Sequence, residues 1–523
     1  MSTDKYAEND SKRGIIKSTG IISAGTLSSR ILGFIRDIII ARLLGTASSA
    51  DAFFVAFRIP NLFRDLVGEG ATNSALVPVF GEYETKKDKV ELWNFVSVFL
   101  ILSLMALSVI VLLGIIFAPF IVRLVAPGFL LEPEKLETTI RLTRLMFPYL
   151  IFIGLTAYSM GILYTFRSFA TPAFSPCLLN LSMIVSAIIT VKTNTDTVFG
   201  LAVSVLVGGA LQLSVQLYPL FKKGMKISWP KTFAHPGAFK VGKLLLPRVF
   251  GSAVYQLNVF VDTFCASLSN IVGAGGISAI YYANRIIQFP MGLIGVSLAS
   301  AILPSMAGFA AKDNIEELKK TLVFSLENIF FVMFPTSIFL ILFSSPIIRV
   351  LFERGVFDRY STEITSSVLL FSSLGLVGFG ATKIMVTTFH SLQDTATPVK
   401  VGFGCVVINA VLNFVLMWPL KVGGIALASA IASMINFGVL FYLIEKRLGD
   451  ISRDLAPFIH KVSIATIVMG AVTFLIWNGS TEIPEAGRLV LIGLAGFLVF
   501  MGTCYKLKVK QAEAILRWIS KKR

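Results

Sequence analysis

The sequence predicts an all-α polytopic membrane protein of about fourteen transmembrane helices, with two parallel six-helix repeats as lobes around a central cavity and two further helices at the C-terminal end. Three observations predict it. The 523 residues are 55% hydrophobic and only 15% charged, with a mean hydropathy of +0.78, too little polar surface for a protein surrounded by water. Apolar runs near twenty residues recur, such as FLILSLMALSVIVLLGIIFAPFIV (99–122) and GRLVLIGLAGFLVFMGTCY (487–505), each long enough to cross about 30 Å of hydrocarbon as a helix. Alternating ten-residue strands are absent from the sequence, which argues against a barrel. Finally, the chain repeats itself. NSALVPVF (73–80) returns as ASAILPSM (299–306), FAPFIVRLV (117–125) as FSSPIIRVL (343–351), and TFRSFATP (165–172) as TFHSLQDTATP (388–398). The anchors Pro78 and Pro304, Arg123 and Arg349, and Pro172 and Pro398 share one displacement of 226 residues (304 − 78, for example).

Apolar segments between charged or Pro/Gly punctuation centre at about residues 30, 65, 108, 151, 181, 209, 254, 293, 335, 375, 407, 433, 466 and 496. Six is an even number, so two six-helix copies cross the bilayer in the same sense and form two lobes, the architecture of alternating access. The expected organisation is an N-terminal tail (1–14), a first lobe (15–222), a linker (223–239), a second lobe (240–446), helices 13 and 14 (447–508) and a basic amphipathic C-terminal tail (509–523). With the N-terminus in the cytoplasm, the tails and even-numbered loops hold roughly 29 Lys and Arg against roughly 9 in the odd-numbered loops, which places both termini in the cytoplasm. The tail KLKVKQAEAILRWISKKR (506–523) alternates Lys and Arg with Leu, Ile and Trp518, the pattern of an interfacial helix on anionic lipid. The formal net charge of +17 then reads as orientation and lipid contact, with no nucleic acid as partner.

The charges inside the apolar segments are the functional signal. An arginine at the bilayer centre costs on the order of 3 kcal/mol, so such residues must face protein, water or ligand. SSRILGFIRDIIIARLLG (28–45) carries Arg30, Arg36, Asp37 and Arg42, and Arg30 and Asp37 share one helix face; Gly25 and Gly33 can bend that helix. DAFFVAFRIPNLFRDLVGEGATNSALVP (51–78) adds Asp51, Arg58, Arg64, Asp65 and Glu69, interrupted by Pro60, Gly68 and Gly70. YYANRIIQFPMGLIGVSLASAILP (281–304) adds Arg285 before a break at Pro290, one residue from Arg58 at the repeat displacement. Broken, charged helices belong beside a polar cavity. Arginine exceeds aspartate there, and guanidinium forks match phosphate oxygens, so the pattern points to a phosphate-bearing anion. The alternative is internal salt bridges, such as Arg36 with Asp51, or snorkelling. Asp262, near Gln256 and Asn258, and Asp394 in SLQDTATP are candidates for binding a coupling ion, H⁺ or Na⁺, with a helix-packing hydrogen bond as the alternative. Lys383, His390 and Arg349 read as interfacial.

The N-terminal stretch shows no removable signal peptide. The four cysteines and three histidines are scattered, which supports neither a disulfide framework nor a metal site, and no phosphate loop or enzymatic domain is legible.

Five motifs in order, SSRILGFIRDIIIARLLG, ADAFFVAFRIPNLFRDLVGEGATNSALVPVF, YYANRIIQFPMGLIGVSLASAILP, LFERGVF (351–357) and QDTATPVKV, closely resemble the MurJ (MviN) lipid II flippases of the multidrug/oligosaccharidyl-lipid/polysaccharide exporter superfamily. The resemblance runs from about residue 15 to beyond 440. It implies fourteen helices, a cationic central cavity, and translocation of undecaprenyl-pyrophosphate-linked disaccharide pentapeptide (lipid II) from the inner to the outer leaflet of the bacterial cytoplasmic membrane. The family's cavity arginines fall on Arg30, Arg36, Arg64 and Arg285, and its acidic partners on Asp37 and Asp51; Arg58 joins them as a further candidate for substrate binding. The residue before Arg285 is often Asp in relatives and is Asn284 here, which puts an ion-pair role there in doubt. The resemblance also implies that helices 13 and 14 flank a groove for the lipid tail. Expected partners are lipid II, membrane lipids and other cell-wall synthesis proteins. No cofactor is expected beyond Na⁺ or H⁺ coupling and the membrane potential. The alternatives are export of another polyprenyl-linked glycan or a non-transporting membrane scaffold for cell-wall synthesis.

Overall fold

The computed structural model describes residues 2–67, 71–226, 229 and 232–520, with side chains for 20–62, 64, 76–226, 229, 232–245 and 256–517. Gly68, Glu69 and Gly70, and the side chains of Asp65 and Trp518, lie outside the described residues. The described chain is helical and holds no strand. First come α1 (Ser2–Leu44), α2 (Ser48–Val67), α3 (Ala71–Lys86), α4 (Lys89–Ile116), α5 (Ala118–Val125), α6 (Pro133–Met146), α7 (Tyr149–Thr165), α8 (Ala170–Thr193), α9 (Thr197–Lys222) and α10 (Pro236–Ala266). There follow α11 (Ser269–Val272), α12 (Gly276–Pro290), α13 (Val296–Ala311), α14 (Ile315–Leu342), α15 (Ser344–Phe352), α16 (Arg359–Leu374), α17 (Leu376–Ser391), α18 (Ala396–Leu448), α19 (Ile451–Gly479), α20 (Glu485–Lys506) and α21 (Lys510–Ser520).

The repeat seen in the letters recurs in the backbone. α4 and α14, α5 and α15, α6 and α16, and α8 and α18 begin 226 residues apart (315 − 89, 344 − 118, 359 − 133, 396 − 170). Their ends repeat as well. Asp88 caps α4 by accepting the Glu91 N–H at 2.7 Å, and Asn314 caps α14 by accepting the Glu317 N–H at 3.1 Å, each supplying an acceptor that a helix start lacks. α7 closes with the Ser168 N–H on the Leu163 carbonyl and α17 with the Asp394 N–H on the Phe389 carbonyl, both at 2.9 Å. In each, the preceding residue (Arg167, φ 53°; Gln393, φ 60°) takes the left-handed conformation that this six-to-one closure needs.

Among the described residues, nine helices are long and apolar enough to cross a membrane, or ten if the bent pair α16 and α17 is one span. The expected count of about fourteen is not reached by that test. One reason is that α18 is two helices joined at Lys421, whose φ of 52° breaks the helical path. Another is charge: α2 holds Asp51, Arg58 and Arg64. The segment expected near residue 65 is two helices, α2 and α3, and the break expected after Arg285 is a wide helical turn, Met291–Gly295, between α12 and α13. α4 is apolar all round. It buries Phe95, Val98 and Phe99 in the protein and leaves Met105, Val109, Leu112 and Ile116 exposed, a face suited to lipid.

The chain divides into two compact units, Met1–Gln256 and Leu257–Arg523, the division falling inside α10. In unit 1, α1 packs on α8, α8 and α7 pack on α9, and α2 packs on α6. In unit 2, α18 packs against α16 and α17, α14 against α19, and α19 against α20. The start of α10 is pinned within unit 1. His235 stacks on Phe95 at 5.0 Å, lies 3.3 Å from a Glu91 carboxylate oxygen, and accepts the Gly237 N–H at Nδ1.

Gly25 serves packing as well as any bend. A Cβ there would lie 2.6 Å from the Ala173 carbonyl oxygen, so α1 can approach α8 this closely only without a side chain. Gly25→Ala must push the two helices apart and is expected to cost about 1–3 kcal/mol, read as a lowered melting midpoint of the purified protein.

Candidate functional site

The charged segment of α1 resolves into two environments. Arg30 is exposed and makes no hydrogen bond or ion pair among the described residues. Arg36, six residues on and on a different helix face, is only 4% exposed. Its Nε and Nη2 donate to one Asp37 oxygen at 3.0 and 2.7 Å, and its Nη1 donates to Asn180 Oδ1 at 2.9 Å. The Asn180 amide nitrogen in turn donates to the Ser29 carbonyl at 3.0 Å, tying α8 to α1 beside Arg30. A buried guanidinium must be matched in charge and in hydrogen bonds, and this cluster does both.

Asp51, in the first turn of α2, does not pair with Arg36. Its partner is Lys135 of α6, whose Nζ lies 3.2 Å from Asp51 Oδ2, with both side chains 3% exposed. Lys135 also lies 3.7 Å from Glu132 and 4.3 Å over the Phe129 ring. The internal pair expected between Arg36 and Asp51 is therefore replaced by two pairs, because neighbours along and across helices reach each residue first. Lys135 was missed by sequence reasoning: it reads as an ordinary charge in the polar stretch EPEKLETT, and only the packing of α2 on α6 buries it. Arg58 and Arg64 are half-buried on α2.

In unit 2, Arg285 is half-buried on α12. Its Nη2 donates to the Tyr281 hydroxyl at 2.8 Å, and the guanidinium carbon sits 5.0 Å from the Tyr281 ring centre. One turn earlier on the helix, Tyr281 thus fixes the direction of the fork.

Asp262 is the centre of a polar cluster. Asn413 Nδ2 donates to its Oδ1 at 2.8 Å and Ser429 Oγ donates to its Oδ2 at 2.9 Å. With its amide turned to satisfy its neighbours, Asn409 donates to Asn258 Oδ1 at 3.1 Å and to Asp262 Oδ1 at 3.2 Å. Asn409 and Asn413 are fully buried, and Asn413 Oδ1 has no partner among the described residues. One carboxylate among neutral oxygen donors suits a proton or a hard monovalent cation better than a divalent ion. Asn409 and Asn413 were also missed from sequence, although two asparagines four apart in the apolar run CVVINAVLNFVLMW were a usable signal.

Asp394 is a different kind of residue. It accepts the Thr397 N–H at 2.9 Å and the Thr397 hydroxyl at 2.7 Å, capping the start of α18, and Arg447 donates to it at 2.7 Å. The Thr397 bonds, with Arg447 added, hold its carboxyl down to about 2. These contacts make it a helix cap and an ion-pair partner.

A groove of about 1130 Å³ lies in unit 2. α13 precedes α14 along one wall, where Leu298, Phe324 and Phe331 give an apolar surface; Asp454 of α19 and Lys510 and Ile515 of α21 close it.

These features meet known proteins over nearly the whole chain. The family described as Lipid II flippase MurJ matches residues 40–483. A probable lipid II flippase MurJ of Buchnera aphidicola subsp. Acyrthosiphon pisum (strain APS) is 34% identical over 482 residues, 91% of this chain and 94% of that protein. The lipid II flippase MurJ of Burkholderia cenocepacia is 34% identical over 496 residues, 92% of this chain and 95% of that one. Among solved structures, a lipid II flippase MurJ in an inward closed conformation aligns with a TM-score of 0.77 at 26% identity, covering 92% of this chain and 97% of its own. An inward-facing multidrug resistance MATE transporter of the MOP superfamily aligns at 0.68 with 19% identity, covering 81% and 96%, and shares the fold. A family match across most of the chain, relatives at a third identity over nine-tenths of it, and the repeated helical fold agree: this chain belongs to the MurJ family of lipid II flippases.

Proposed function

We propose that the protein carries lipid II from the inner to the outer leaflet of the bacterial cytoplasmic membrane, as a transporter and not an enzyme, with both termini in the cytoplasm. The family match over residues 40–483 carries this reading. Arg30, Arg36, Arg64 and Arg285 are the cations assigned to the pyrophosphate, because a guanidinium keeps its charge when water is withdrawn and offers paired donors to phosphate oxygens. The polyprenyl chain is apolar and follows apolar wall surface such as the groove of unit 2, so the headgroup alone has to leave the lipid phase. An inside-negative potential favours outward movement of the anionic headgroup by about 2.3 kcal/mol per charge per 100 mV where that charge crosses the whole field. Binding of a proton or monovalent cation at Asp262 supplies the coupling, since unlike Asp394 this carboxylate sits among buried amides and a hydroxyl rather than at a helix cap.

The test is complementation. Cells depleted of their own flippase accumulate lipid II on the inner leaflet; expression of this chain is expected to restore lipid II exposure on the outer leaflet. Unchanged accumulation with the protein present in the membrane would refute the reading.

A further inference from the structure

The groove of unit 2 is lined by three lysines and three carboxylates as well as by its apolar wall. Two of each pair off. Lys319 lies 2.8 Å from Asp454, and Lys320 lies 2.8 Å from Glu316. One cation and one anion are left over. Lys510, at the start of α21, makes no ion pair among the described residues, and Glu327 of α14 has no cation there but an amide, Gln511 Nε2 donating to its Oε2 at 3.0 Å. An ionised carboxylate only accepts, so it holds the Gln511 amide with its nitrogen toward Glu327 and leaves Oε1 as a spare acceptor. Gln511 is only 9% exposed, yet that oxygen has no partner among the described residues, and an acceptor kept dry and unpaired is costly. The helix that carries it is firmly placed: the Val509 N–H closes α20 on the Cys504 carbonyl at 2.9 Å through Lys508 at φ 53°, and Val509 and Ala512 are buried.

We propose that this part of the groove binds the headgroup of phosphatidylethanolamine, the ammonium donating to Glu327 and to Gln511 Oε1, the phosphate meeting Lys510, and the acyl chains lying on the apolar wall at Leu298, Phe324 and Phe331. The leftover groups are complementary to a zwitterion, and the spare acceptor selects among zwitterions because it needs an N–H. Phosphatidylcholine has the same net charge and no N–H to donate. Phosphatidylglycerol brings a phosphate with no cation for Glu327, and its net charge is repelled there. The pattern of α21 suits the membrane interface, which sets Lys510 and Gln511 at headgroup depth. A polyprenyl chain would use only the apolar wall, so the headgroup site does not rest on the transport reading.

Native mass spectrometry of the detergent-purified full chain, titrated with dioleoyl lipids that differ only in headgroup, tests this. Phosphatidylethanolamine is expected to bind about tenfold or more tighter than phosphatidylcholine, with the N-methyl and N,N-dimethyl lipids ranked between them as N–H donors are lost. Equal binding of the two would overturn the proposal, and tighter binding of phosphatidylglycerol would make this an anionic-lipid site and overturn it as well. E327Q removes the charge that faces the ammonium and is expected to abolish most of the preference for phosphatidylethanolamine; a preference unchanged in E327Q would place the lipid elsewhere and end the proposal. K510M is expected to weaken phosphatidylethanolamine and phosphatidylcholine alike, since both carry the phosphate, and undiminished binding would refute the phosphate contact and with it the site. Should E327Q yield no folded protein, Q511M removes the spare acceptor and is expected to lower the same preference, and no change would be equally fatal. None of these readouts involves lipid II, so failure here leaves the flippase reading standing, and failed complementation leaves this site standing.

Discussion

Lys135→Met is expected to be among the most damaging single changes in the chain, lowering stability by about 3–5 kcal/mol, because it removes the buried cation that lies 3.2 Å from the buried Asp51 carboxylate. The two side chains are each 3% exposed and 3.2 Å apart, so water cannot take over the neutralisation. Asp51→Leu alone leaves the ammonium with Glu132 at 3.7 Å and the Phe129 ring, and is expected to cost less than Lys135→Met. The double variant D51L/K135M removes both charges and is expected to recover most of the loss, since replacing a buried pair by apolar groups is often neutral. Thermal melts of the four proteins form a double-mutant cycle. Additive single effects would show that the pair contributes no coupling, and would return Asp51 to the role of substrate contact that its place in the arginine-rich segment suggested.

The second large effect concerns transport. Arg285→Ala is expected to reduce lipid II exposure on the outer leaflet by about 10- to 100-fold at unchanged membrane expression, the loss of one charge-assisted hydrogen-bonding group being about 1.5–3 kcal/mol. Arg285→Lys is expected to recover little. A lysine keeps the charge but loses the planar fork, so it cannot donate to the Tyr281 hydroxyl and lie against its ring while also presenting paired donors to a phosphate. Full transport by R285K would show that charge alone is read at this position.

The sequence by itself determined the helical membrane class, the 226-residue repeat and the surplus of arginine over aspartate. These are statements about composition and period, and the apolar pattern that makes a helix insert is local to each segment. Even fine detail followed from the repeat, as the paired caps at Asp88 and Asn314 and the paired closures at Arg167 and Gln393 illustrate. Only the tertiary structure decided which charge meets which. Arg36 turned to Asp37 and Asn180, Asp51 to a lysine 84 residues away, Asp394 to a helix end, and Asp262 to asparagines on a helix more than a hundred residues further on. An ion pair or hydrogen bond is satisfied at about 3 Å by whatever side chain packing brings there. That distance is set by how helices far apart in the chain lie against one another, and no local spacing encodes it.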